Sequence, residues 1–125
     1  MKTFSSITAM GVILALAVST PLTGAAQAHG YLMDTFPPRH ETVDLPVALV
    51  KLHFSVKADP NYSKVSIESE DGTIVASETL QEASHVFVMH PPPLNPGKYR
   101  VRYSILTPDG DLLKGAVEFK AEPKE

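Results

Sequence analysis

The chain has 125 residues, 43% of them hydrophobic and 20% charged, which leaves room for one globular domain and excludes a second. Its formal charge of −3 at pH 7 comes without a basic run, which excludes a nucleic-acid-binding balance, because counterion release from phosphates needs clustered Lys and Arg. There are no cysteines, so thiolate sites are excluded and any metal chemistry must use His, Met and carboxylates.

Residues 1–28 read as a secretory signal. Lys2 supplies the positive start, residues 10–18 the apolar centre, and Ala26-Gln27-Ala28 the small-x-small cleavage pattern. An uncleaved membrane anchor fits less well, because Ser19, Thr20, Pro21 and Thr23 interrupt the apolar run short of the ~20 residues a span needs. Cleavage leaves residues 29–125 as the mature domain and places His29 first. A histidine that begins a chain offers its α-amine and its ring Nδ1 together. That bidentate pair suits Cu(II), which favours nitrogen and oxygen in a tetragonal plane.

After residue 30 the hydrophobic period is two, and Pro, Gly, Asn and Asp punctuate it. Strands are expected over 31–36, 48–56, 64–69, 73–79, 85–89, 98–105 and 113–119. Within 48–56, Val50, Leu52, Phe54 and Val56 form the apolar face, and Lys51, His53 and Ser55 face solvent. Residues 98–105 alternate most cleanly, with Tyr99, Val101, Tyr103 and Ile105 inward. Asp71-Gly72 marks a hairpin turn. The proline-rich segment 90–97 lacks the donors of a central strand and reads as an extended connection. Seven strands at this spacing predict an all-β, Greek-key sandwich with no helix of any length.

The turn Thr107-Pro108-Asp109-Gly110-Asp111 joins the last two predicted strands and carries two carboxylates at a strand end. They are the candidate oxygen donors to complete a site begun by His29. Asp111 also suits a purely polar turn, where Asp is common, and both readings stand at this level. Met33 and Met89 are too few to enclose a soft ion, and Met89 is better read as filling a core gap. His40, His53, His85 and His90 show no ligand spacing and are expected to be exposed polar residues.

Several segments taken together carry a resemblance. They are His29-Gly-Tyr-Leu, Thr35-Phe-Pro-Pro-Arg-His-Glu-Thr-Val43, Val50-Lys-Leu-His-Phe-Ser55, Leu94-Asn-Pro-Gly-Lys-Tyr-Arg-Val-Arg-Tyr103 and Thr107-Pro-Asp-Gly-Asp111 continuing to Phe119. In this order they resemble the CopC family of periplasmic copper-binding proteins, over nearly the whole mature chain. The resemblance implies a cupredoxin-like or immunoglobulin-like β-barrel in the periplasm. It further implies a monomer that sequesters or delivers Cu(II) in copper homeostasis or resistance without catalysis, with an inner-membrane copper transporter of the CopD type as partner. The family site, an N-terminal histidine, an aspartate and a histidine two residues later, maps onto His29 and Asp109. Its third position holds Asp111, so the expected metal ligands are His29, Asp109 and Asp111, with a carboxylate where the family has imidazole.

Two other readings compete. Copper-dependent polysaccharide monooxygenases also begin with a histidine, but this chain is short and has no tryptophan. A sandwich that has lost its metal and serves as an interaction domain is the other, and Asp111 favours it. All readings built on His29 share one expected outcome: the intact mass of the exported protein corresponds to a chain starting at His29, and a mass that retains residues 1–28 rules them out.

Overall fold

The period-two segments bury one face and wet the other, as strands laid against a second layer must. A computed structural model describes residues 30–124 of the chain. Its elements are all strands: β1 (Leu32–Phe36), β2 (Thr42–Asp44), β3 (Val50–Ala58), β4 (Lys64–Ser69), β5 (Ile74–Thr79), β6 (Ser84–Met89), β7 (Gly97–Leu106) and β8 (Leu112–Glu122). A three-stranded sheet in the order β1-β3-β6 packs on a five-stranded sheet in the order β2-β8-β7-β4-β5. The expected sandwich is therefore present, with eight strands rather than seven.

The added strand is β2. It pairs parallel with the end of β8, Val43 opposite Ala121, and its three residues are too few to show alternation. Backbone bonds from His40 N–H to the Glu118 carbonyl (2.7 Å) and from Leu45 N–H to the Glu122 carbonyl (2.8 Å) fix it at either end.

The apolar faces meet where the pattern predicts. Val50, Leu52 and Phe54 of β3, Val65 and Ile67 of β4, Tyr99, Val101 and Ile105 of β7 and Phe119 of β8 form one buried core. Phe54 is fully buried, and its ring meets Tyr103 edge-on with centroids 5.3 Å apart. That contact joins the middle strand of one sheet to the middle strand of the other. Met89 is buried in the core, as expected of a gap filler, whereas Met33 is exposed, at an irregularity in the β1–β3 ladder between Leu32 and Asp34.

The outer face of the five-stranded sheet is held by cross-strand ion pairs. Arg100 lies opposite Glu118 and donates to its carboxylate at 2.6 Å, which holds the Glu118 carboxyl below its ordinary range. Arg102, opposite Ser66, reaches diagonally to the Glu68 carboxylate. Such exposed pairs contribute little each, so stability rests on the core. Phe54→Ala is expected to destabilise the fold by ~3–5 kcal/mol, read as a lower midpoint in denaturant unfolding, and a loss below ~1 kcal/mol would mean that Phe54 does not bridge the sheets.

Candidate metal centre

The candidate ligands come from two distant parts of the sequence, and His29 lies outside the described residues, as does the signal segment before it. Its neighbours define where the chain arrives. β1 runs antiparallel to β3 with Leu32 opposite Phe54, so Gly30 and Tyr31 lie beside the C-terminal end of β3. Tyr31 is bonded twice to Ser55: its N–H donates to Ser55 Oγ at 2.9 Å, and its carbonyl accepts from Ser55 N–H at 2.9 Å. Gly30 sits so close to Val56 that a Cβ there would stand 2.8 Å from Val56 Cγ2. Glycine at 30 lets the backbone there lie close against β3.

The turn that carries Asp109 and Asp111 leaves the C-terminal end of β7. This end of β7 is tied directly to the end of β3, since Asp59 N–H donates to the Leu106 carbonyl at 2.9 Å. The start of the described chain and the two aspartates therefore occupy one pole of the sandwich. Three further bonds close the turn itself. Thr107 N–H donates to the Asp111 carbonyl (2.8 Å), Gly110 N–H to the Thr107 carbonyl (2.9 Å), and Asp111 N–H to Thr107 Oγ1 (3.1 Å). Asp109 and Asp111 are both exposed.

Among the described residues no three His, Asp or Glu side chains converge as a metal-binding group. Of the remaining histidines, His85 lies at the pole end of β6, next to Ser84, which pairs with Ala58. His53, expected on the solvent face, is half-buried there, with Nδ1 3.1 Å from an Asp34 carboxylate oxygen. His85 Nδ1 lies 3.3 Å from the Phe54 carbonyl and His90 Nδ1 3.3 Å from that of Ala48. His40 is exposed on the far side, its φ of 62° in the left-handed region.

Sequence reasoning missed the residues that shape the pole. The Asp59 to Leu106 bond is backbone to backbone and leaves no mark on composition. Thr107 had a signal: a hydroxyl residue at the head of a tight turn, where Ser and Thr bond nearby backbone N–H groups.

Residues 32–122 match the CopC domain. Among solved structures, the chain is similar to CopC from Methylosinus trichosporium OB3b, at 30% identity and TM-score 0.71, covering 78% of this chain and 97% of that one. It shares its fold with PcoC, a methionine-rich copper resistance protein from Escherichia coli, at 24% identity and TM-score 0.66, covering 76% of this chain and all of that one (100%). Among curated proteins no sequence matches this chain.

Gly110, between the two aspartates, has φ of 89°, and a Cβ there would meet nothing within 4 Å. Gly110→Ala should therefore register backbone strain alone, a loss of ~1–2 kcal/mol in denaturant unfolding, and an unchanged stability would show that the turn readily adopts another conformation.

Proposed function

The chain belongs to the CopC family, and from that premise we propose that it is a periplasmic copper carrier, exported by the signal in residues 1–28, which holds Cu(II) as cargo. In this reading His29 chelates through its amine and Nδ1, and Asp109 and Asp111 supply carboxylate oxygens. The observation that carries it is the shared pole: Gly30 lies against the end of β3, and the Asp59 to Leu106 bond ties that end to the turn bearing both aspartates. Two nitrogens and two oxygens are a competent donor set for Cu(II), though imidazole is the better copper donor than carboxylate.

The family's copper resistance context supports a carrier rather than a catalyst. In this reading the protein's contribution is affinity and release. An inner-membrane transporter of the CopD type is the recipient this reading assigns.

The test is a titration of the chain beginning at His29 with Cu(II), followed by visible absorption. One-to-one binding is expected, and one extra residue before His29 should abolish it by removing the α-amine from the chelate. Asp111→His should tighten binding by at least about tenfold, ~1.4 kcal/mol, and move the visible band to higher energy as nitrogen replaces oxygen. If affinity and spectrum are unchanged by Asp111→His, the turn does not face the chain start, and the copper role gives way to an interaction domain.

A further inference from the structure

The ladder between β1 and β3 slips at Met33. Leu32 stands opposite Phe54 and Asp34 opposite His53, so one residue of β1 is extra. A regular strand turns successive side chains to opposite faces, but here Met33 and Asp34 are both exposed, between a part-buried Leu32 and a part-buried Thr35. The bulge therefore delivers two neighbouring side chains to the outer face of the three-stranded sheet, beside His53. Bulges disrupt a ladder locally and re-aim side chains, and this one gathers a thioether, a carboxylate and an imidazole.

The imidazole is already oriented. His53 Nδ1 lies 3.1 Å from an Asp34 carboxylate oxygen. An ionised carboxylate only accepts, so Nδ1 carries the proton and the lone pair of the neutral ring falls on Nε2. Metal-ligating histidines use this same arrangement to fix ring and tautomer. The His53 side chain is 34% exposed, enough for Nε2 to meet an ion. Met33 is 50% exposed, whereas Met89 fills the core. Side chains opposed across a strand pair have Cβ atoms about 5 Å apart, within the span of a flexible thioether and a ring that share one ion.

The surroundings select the ion. A thioether with an imidazole suits a soft metal rather than Mg(II) or Ca(II). Val86 stands opposite His53 on its other side and supplies an apolar flank. Lys51, two residues along the exposed face of β3, opposes the accumulation of positive charge. A singly charged soft cation fits that balance better than a divalent one. We propose that Met33, Asp34 and His53 form a surface site for a soft monovalent ion of the Cu(I) or Ag(I) type. The Met33 sulfur and His53 Nε2 are the donors, and Asp34 positions the ring. The site shares no residue with the Cu(II) site proposed at the pole.

The probe is Ag(I), which needs no reductant, added to the chain with one extra residue before His29, so that the amine chelate at the chain start is absent. The Met33 methyl and His53 ring resonances should shift together and saturate at one equivalent, with the Met89 methyl unmoved. Met33→Leu keeps the size of the side chain and removes the sulfur, and His53→Gln removes the ring. In competition with a chelator each should lower Ag(I) affinity by at least about tenfold, and Asp34→Ala, which frees the ring, by about tenfold. His90→Gln, just past the end of β6, should leave it unchanged. Cu(I) under anaerobic reduction should give the same order of variants. Ag(I) binding that Met33→Leu does not weaken, shifts that bypass His53, or no one-to-one complex at all overturns the proposal. Each of those results leaves the Cu(II) reading where it stands, and a failed Cu(II) titration does not touch this site.

Discussion

The edge-on contact between Phe54 and Tyr103 is the constraint from which the rest of the molecule can be followed. β3 is the middle strand of the small sheet and β7 the middle strand of the large one, and a chain without cysteines has no covalent staple between them. Apolar burial must hold the layers. Tyr103 can reach Phe54 while its ring stays beside Gly115 of β8, because a side chain at that position would collide with the tyrosine. Once the two middle strands are in register, their C-terminal ends fall together, and the Asp59 to Leu106 bond is made where the layers meet. The pole is a consequence of the core.

How far this could be read from the sequence depended on whether the information lay in side chains. β3, β7 and β8 each have one wet and one buried face, so Leu52, Phe54, Val101 and Phe119 alternate with Lys51, His53, Arg100 and Glu118, and the alternation alone locates the strands. β2 has no such record. Only Val43 is partly buried there, and the strand exists through backbone bonds to β8, which any sequence able to extend could make. The irregularity at Met33 is invisible for the same reason: the ladder slips by a residue, and a single exposed methionine leaves the local pattern looking like ordinary variation.

The candidate site divides along the same line. Asp109 and Asp111 were legible because carboxylates in a Pro- and Gly-bearing turn are conspicuous, and His29 because it follows a small-x-small pattern. What brings the start of the described chain and the aspartate turn to one pole was not, since it consists of amide-to-carbonyl bonds. Serine and threonine are frequent enough that Ser63 and Thr107 carry no weight until their burial is known. In three dimensions both are almost wholly buried, and burial turns common residues into specific ones.

In the proposed site the two kinds of donor would then differ in how they are held. The carboxylates belong to a turn closed by backbone bonds, whereas the described chain begins at Gly30, close against Val56, and is anchored by Tyr31 to Ser55. Pre-organising one half of a donor set lowers the ordering cost of binding without requiring that the other half be rigid. An imidazole at position 111 would add affinity, but affinity is also resistance to release, and a carrier must part with its cargo. In that site a chelating chain end and two carboxylates would give selectivity for a borderline ion through the nitrogens and a readier exit through the oxygens. The aspartate at 111 would on this view favour delivery over permanent storage.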